Sequence, residues 1–308
     1  MARSSLVAPV AEMSGGRPRE QSGIALVLVL WLVAALALIS AAVAATSREG
    51  VKAARDARLL LAGEALCDGA IHLALFELLR EGRSTDRILT GSYRVDDRSV
   101  SVTSVPANGF ININAADESL LELLFRHGAD LAPDVARQLA ERVLDWRDPD
   151  GVARPEGAED DDYAAAGVPF RTRGGRFDSI DDLMQVLGLD FSVFDRIRHL
   201  VVAGGAEARV NPMAAPAGVL LVLAAGDAAT ARAVEAGRES LGLATDLTGL
   251  SRNHLGTGAS RVLRMEARVA LPDGRNLVRA QWISLDGGVD RLPWLTLAAE
   301  PARFGRGS

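Results

Sequence analysis

The chain has 308 residues, a net charge of -6 and a sequence pI near 5.4; hydrophobic residues make up 48% and charged residues 24%. This acidic balance gives no basic surface for nucleic acid, and the single cysteine, Cys67, excludes an internal disulfide, a CxxC redox pair and a thiolate zinc site. The length suits one membrane anchor with one large domain, or with two modest domains.

The N-terminal region predicts a membrane anchor. Residues 1–23 are polar and include Arg3, Arg17 and Arg19, whereas Ile24 to Ala45 contains no charged residue. Such a run is long enough to cross a bilayer as a helix. The basic residues before it favour a cytoplasmic N-terminus, so we expect a single-pass inner-membrane protein with its body in the periplasm.

Gly23 directly precedes the apolar run. This arrangement resembles the leader of type IV pilins and pseudopilins, which a prepilin peptidase cuts after the glycine. The resemblance implies a methylated mature protein that begins at Ile24 and keeps the apolar run as its anchor. An ordinary signal peptide cleaved within the alanine-rich stretch 41–45 is the alternative. Either Met1 or Met13 can be the true start.

The fifth residue from Ile24 is Leu28, where most pilin-like subunits carry a glutamate. Beyond the apolar run, residues from Thr46 to Leu79 alternate apolar and charged positions at helical spacing, and Gly82 supplies a stop signal. A membrane span that continues as an amphipathic helix is typical of a pilin-like spine.

Strand patterns lie on both sides of a long helical block. Ser92 to Val105 predicts a hairpin or two short strands, and Arg261 to Leu271 pairs with Asn276 to Leu285 across the turn Pro272-Asp273-Gly274. We expect one antiparallel sheet interrupted by an insertion; two independent domains in series are the alternative.

The helical block contains a weak internal repeat. An asparagine-containing turn at 110–116 precedes a helix near 119–125, and a second such turn at 209–216 precedes a helix near 218–224. We expect the asparagines to cap the following helices. Between the repeats, Phe177 to Leu189 predicts a capped helix.

Several motifs occur in this block in a defined order: INxNAA, LDWRDPD, GAEDDDY, FDSIDDLMQVLGL and VNPxAAP. Their order and spacing resemble the type II secretion protein K family of minor pseudopilins, over roughly 23–285. That family also lacks the glutamate replaced here by Leu28. The resemblance implies an α+β, pilin-like fold with a large α-helical domain inserted in its sheet. The predicted segments are a leader (1–23), a transmembrane helix (24–45), the pilin-like helix and first strands (46–106), the inserted domain with two SAM-like or helix-hairpin-helix-like repeats (107–255), C-terminal strands (256–290) and a tail (291–308).

The resemblance also implies a function. A K-type subunit is not an enzyme; it caps the pseudopilus tip together with the I- and J-type minor pseudopilins and supports export of folded proteins across the outer membrane. Its other implied partners are the prepilin peptidase and the inner-membrane assembly platform. A tip subunit has no subunit above it, so a carboxylate at position 28 would have no partner in lipid.

An acidic loop between residues 145 and 163 contains the densest charge in the chain. Clustered carboxylates repel one another unless water or a cation screens them, and calcium accepts six to eight oxygen ligands in flexible geometry. A solvated loop is the alternative. The resemblance implies a calcium-binding domain, with favoured ligands at Asp148, Asp150, Glu159, Asp160 and Asp162.

A membrane-anchored helix-hairpin-helix protein of the competence type, which binds DNA, is the alternative function. In this chain Gly188-Leu189-Asp190 places a carboxylate where phosphate would approach, so we expect no nucleic-acid partner. The sequence contains no P-loop and no dinucleotide-binding glycine pattern, and it shows no pattern that predicts a Ser/His/Asp set.

Overall fold

A computed structural model describes residues 22–287 and 292–305, and it has an α+β fold. The α-helices are α1 (Ser22–Glu81), α2 (Glu118–Leu123), α3 (Pro133–Arg147), α4 (Asp160–Ala165), α5 (Phe191–Ile197), α6 (Ala217–Leu223) and α7 (Ala228–Ser240). The strands are β1 (Leu89–Val95), β2 (Arg98–Pro106), β3 (Ile111–Asn112), β4 (Val201–Val202), β5 (Val262–Ala270), β6 (Asn276–Ser284), β7 (Leu295–Ala299) and β8 (Arg303–Gly305). Most of the predicted leader lies outside the described residues.

Helix α1 contains two stretches that are long and apolar enough to cross a membrane. Ala25–Ala42 has a mean hydropathy of 2.7 and none of it is buried, whereas Gly50–Glu81 has a mean hydropathy of 1.6 and 33% of it is buried. Core helices of soluble proteins and signal sequences meet the same criteria. The chain divides into two compact units within this helix, after Arg58.

The second unit uses the last part of α1 as a core helix. Its buried stripe recurs at helical spacing and consists of Cys67, Ala70, Ile71, Ala74, Leu75 and Leu78. This stripe packs on apolar residues of β2, β5 and β6, including Val102, Met265 and Leu277. The helix ends as predicted at Gly82, which has a φ of 59° and donates its N–H to Leu79 O.

The strands before and after the helical block form one antiparallel sheet with the order β1-β2-β5-β6-β7. β2 pairs with β5 in continuous register from Val100–Val269 to Pro106–Leu263. β5 and β6 join through the predicted turn, where Gly274 has a φ of 84° and donates to Leu271 O at 3.0 Å. The helical block therefore enters and leaves the sheet between two neighbouring strands.

The tail predicted for residues 291–308 differs in the structure, because β7 and β8 both pair with β6. All five residues of β7 are exposed, so the strand lacks the alternation that marks a half-buried strand. Glu300, directly after β7, donates its backbone N–H to Ala280 O at 2.9 Å.

The helical block has a separate core around α2, α3, α5 and α6. Trp146 stacks on Phe177 with ring centroids 4.1 Å apart, and the buried Tyr163 hydroxyl accepts a hydrogen bond from Leu187 N at 2.9 Å. A short parallel pair, β3 with β4, connects the start of the block to the end of α5. The predicted helix at 177–189 is a shorter 3-10 helix, Ile180–Gln185, with a Ser179–Asp182 capping box.

The repeated asparagines do not cap helices, so that expectation is wrong. Asn112 Oδ1 accepts from Asn114 N, and Asn211 Oδ1 accepts from Met213 N, both at 3.0 Å. These bonds form matching Asx turns. The cap of α2 is Asp117 instead, whose Oδ1 accepts from Leu120 N at 2.8 Å.

The second asparagine turn contacts residues 108–109, just before the first turn, where the block joins the sheet. Asn211 N donates to Asn108 O at 2.7 Å, while the side-chain amides of Asn108 and Asn211 both donate to Gly258 O. Gly109 lies against the backbone of Ala214: a Cβ at Gly109 would contact the Ala214 carbonyl oxygen and lie 2.5 Å from its carbonyl carbon. The junction therefore depends on close backbone approach.

A bidentate ion pair attaches the end of the chain to the sheet. Arg264 Nε and Nη2 donate to the two carboxylate oxygens of Glu300, each at 2.7 Å. Burial acts to raise the pKa of Glu300, but the hydrogen bonds and charge of Arg264 outweigh it and hold the pKa below its ordinary value.

We expect Glu300→Gln to lower the free energy of unfolding by about 1–3 kcal/mol at pH 7, because charge-assisted hydrogen bonds are lost. A lowered carboxyl pKa adds stability above the unfolded-state pKa, and this stability disappears as the pH falls through the folded-state pKa. The difference between wild type and variant should therefore shrink in acid, as measured by urea unfolding across pH. Glu81→Gln, in an exposed pair with Arg80, should change stability by less than about 1 kcal/mol. Equal losses for both variants would contradict the prediction.

Candidate metal centre

The acidic loop folds back over the end of α3, and two buried carboxylates on that helix hold it there. Asp145 is fully buried and accepts backbone hydrogen bonds from Arg154 N at 3.1 Å and Ala158 N at 2.9 Å. Glu141, four residues earlier and on the same face, accepts from Glu156 N at 2.6 Å. The loop backbone is therefore organised by carboxylates that are not themselves free to bind an ion.

Gly157 permits this close packing. A Cβ at this position would contact Asp145 Oδ2, lie 2.8 Å from Asp145 Cγ and lie 3.0 Å from Arg154 N. A side chain here would displace the buried carboxylate, so the glycine is required by space.

Three of the five predicted ligands come together. One oxygen from each of Asp148, Asp150 and Glu159 lies within 4.8 Å of the others. Asp148 Oδ1 and Glu159 Oε1 are buried and have no hydrogen-bond partner within the described part of the chain. A buried carboxylate oxygen without a partner is costly, and a bound cation would satisfy both atoms. These oxygen donors fit calcium.

The pKa of Glu159 reflects the negative charges that surround it. Burial raises its pKa; a hydrogen bond from Thr172 Oγ1, at 3.1 Å, acts against this, and the charges of Asp145, Asp148 and Asp150 raise it further. As a result, the pKa of Glu159 lies above its ordinary value.

The other two predicted ligands are used elsewhere. Asp160 Oδ1 accepts from Thr172 N at 3.0 Å and Thr172 Oγ1 at 2.8 Å. Asp162 Oδ2 accepts from Glu159 N at 2.9 Å and completes the capping box of α4. The structure therefore places them outside the three-carboxylate group: Asp160 is bonded to Thr172, and Asp162 is bonded to a free backbone N–H at the start of the helix.

Arg154 was missed as a site residue because it lies between the acidic runs. Its Nη1 donates to Asp148 Oδ2 at 2.7 Å and also to Asp145 Oδ1. An arginine four residues beyond an Asp-Pro-Asp turn gives little indication in the sequence that it belongs to the site. Only the folded loop brings Arg154 back to the end of α3.

A serine, a histidine and an aspartate meet near α2, but their order does not suit nucleophilic catalysis. Ser119 Oγ donates to Asp117 Oδ1 at 2.9 Å and lies 3.4 Å from His254 Nε2. A catalytic serine gives its proton to the histidine, whereas this serine donates to Asp117, the residue that caps α2.

At the Gly188 hairpin, a carboxylate caps the start of α5. Asp190 Oδ1 accepts from Val193 N at 2.9 Å and is the N-cap of this helix. A carboxylate occupies the place where a phosphate would have to bind, which disfavours DNA binding through this hairpin.

Comparison with known proteins gives three similarities. The family described as type II secretion system (T2SS), protein K matches residues 106–205. The type II secretion system protein K of Pectobacterium carotovorum subsp. carotovorum is 40% identical over 70 residues, which are 23% of this chain and 21% of that protein. The alignment thus spans about a fifth of that relative.

The third similarity is structural. A chain in the crystal structure of the GspK-GspI-GspJ complex from the enterotoxigenic Escherichia coli Type 2 Secretion System superposes with a TM-score of 0.55 at 17% sequence identity, covering 83% of this chain and 99% of that chain. At this identity the likeness concerns the fold, and it agrees with the mixed helix and antiparallel sheet described above. The resemblance seen in the motifs is confirmed over residues 106–205, which match the type II secretion system protein K family.

Proposed function

We propose that this protein is a minor pseudopilin that caps the tip of a type II secretion pseudopilus and supports export of folded proteins across the outer membrane. The match of residues 106–205 to protein K carries the proposal. The solved neighbour was crystallised as a GspK-GspI-GspJ complex, so we propose I- and J-type minor pseudopilins as the partners of this chain.

The N-terminal part of α1 fits an inner-membrane anchor. Ala25–Ala42 is uncharged and exposed along its length. We propose that a prepilin peptidase cuts between Gly23 and Ile24, that the new N-terminus is methylated, and that the assembly platform receives the mature subunit with its body in the periplasm. N-terminal sequencing of the mature protein reads the cut directly; a start near Ala45 would indicate an ordinary signal peptide.

The tip position follows from Leu28, which is 65% exposed and stands where most pilin-like subunits carry a glutamate. A subunit without that carboxylate cannot neutralise the N-terminus of a neighbour in lipid.

The sheet packed on the last part of α1, with the helical block between β2 and β5, supports the description as a pilin-like fold with an inserted domain.

The partner proposal predicts a specific complex. Leu73 and Phe76, one turn apart on α1, are 45% and 60% exposed and offer an apolar face for helix packing. The purified chain should co-elute with its I- and J-type partners, and Phe76→Asp should weaken the complex at least about tenfold, since a charge would be buried in the contact.

Phe191→Asp is the matched control, because Phe191 is a 65% exposed phenylalanine on the helical block. It should leave co-elution unchanged. Elution of the wild-type chain without either partner would contradict the proposed function.

We also propose that Asp148, Asp150 and Glu159 hold a calcium ion. The support is the unpartnered, buried oxygen on each of Asp148 and Glu159, together with the short separation of all three carboxylates. Bound calcium would offset two of the three negative charges on these ligands and hold the loop against α3.

A further inference from the structure

Arg154 lies inside the acidic loop as a fixed positive charge. Its side chain is 33% exposed, and it pairs with the fully buried Asp145 and with Asp148, whose side chain is 22% exposed. Burial acts to lower the pKa of Arg154, but the hydrogen bonds that its guanidinium donates to Asp148 and Asp145 raise the pKa above its ordinary value, so the guanidinium stays charged.

The two oxygens of Asp148 have different roles. Oδ2 accepts from Arg154 Nη1 at 2.7 Å, whereas Oδ1 is buried and has no hydrogen-bond partner among the described residues. One oxygen of Asp148 lies within 4.8 Å of one oxygen each of Asp150 and Glu159. Arg154 thus occupies one oxygen of the proposed ligand and leaves the other oxygen available to an ion.

The charges around this point are unbalanced without an ion. Asp145, Asp148, Asp150 and Glu159 contribute four negative charges and Arg154 one positive charge. The arginine offsets part of the repulsion that would otherwise open the loop, and a calcium ion would offset more of it. Because both are cations close to Asp148, each reduces the need for the other.

We propose that Arg154 is the built-in counter-cation of this loop: it keeps the loop folded when calcium is absent and lowers the affinity for calcium. The inference rests on the proposed calcium site. According to this inference, the loop responds to calcium but does not need calcium to fold. Arg154 alone gives the loop this property.

Arg154→Gln removes the charge and keeps a hydrogen-bond donor. In chelator the variant should melt well below wild type, and calcium should restore most of the loss, so the calcium-induced shift in Tm becomes larger. Calcium chloride titrated into the purified chain by calorimetry should show binding tighter by about three- to tenfold. Arg154→Lys retains the charge and should bind calcium within about twofold of wild type.

Arg173→Gln controls for a general change in charge, because Arg173 also pairs with two carboxylates, Asp178 and Asp182, outside the proposed ligands. Its calcium affinity should equal that of wild type. If wild type gives no calcium binding, the proposed metal site itself fails. If wild type binds and Arg154→Gln binds equally or more weakly, or stays unfolded even in calcium, the counter-cation role is overturned.

Discussion

Gly109→Ala is expected to lower the free energy of unfolding by at least about 3 kcal/mol, a large share of the stability of an ordinary domain. The added methyl would contact the carbonyl oxygen of Ala214 and lie 2.5 Å from its carbonyl carbon. Both are backbone atoms, so no side chain can rotate away. Relief requires moving residues 108–109 away from the second asparagine turn, which would break the 2.7 Å hydrogen bond from Asn211 N to Asn108 O.

Gly204→Ala is the matched control, because a Cβ there would have no atom within 4 Å. We expect its stability to stay within about 1 kcal/mol of wild type. Urea unfolding followed by circular dichroism measures both variants. Similar midpoints for Gly109→Ala and Gly204→Ala would contradict the close approach at the junction.

Calcium should stabilise the helical block through Asp148 and Glu159. An ion that binds only the folded state adds about 2.7 kcal/mol at a hundredfold excess over its dissociation constant. The melting temperature of wild type should rise in calcium and fall in chelator, with a smaller response to magnesium, which requires octahedral geometry. Asp148→Asn combined with Glu159→Gln should remove the response, because the two buried, unpartnered oxygens lose their charge.

Asp160→Asn combined with Asp162→Asn removes the same formal charge from residues that the structure places outside the three-carboxylate group. Asp160 accepts from Thr172, and Asp162 caps α4. This pair should lose some stability in chelator yet retain the calcium-induced shift. Loss of the shift in this pair, or equal melting of wild type in calcium and chelator, would refute the three-residue site.

The sequence alone determined the features that depend on neighbouring residues. The apolar run after Gly23, the end of α1 at Gly82 and the turn at Gly274 follow from local hydropathy and backbone freedom. The ordered motifs also indicated a resemblance to the protein K family, whose model matches residues 106–205, because a motif order is a pattern along the chain and needs no contacts.

Contacts between distant residues were decided by the tertiary structure. β7 has no buried face and therefore no alternation to read, while the parallel pair of β3 and β4 is two residues long and joins positions far apart in the chain. The asparagine turns were recognised, but their hydrogen bonds were not, since an amide in a turn can satisfy several partners equally well.

The candidate metal centre shows the same division. Composition placed a cluster of carboxylates between α3 and α4. The way in which the loop folds back onto α3 decides which of these carboxylates share a site. Asp145 and Gly157 govern that return through burial and space, and Arg154 follows them into the cluster. Asp160 and Asp162 follow Glu159 closely in sequence but lie outside the group, because Asp160 accepts hydrogen bonds from Thr172 and Asp162 completes the capping box of α4.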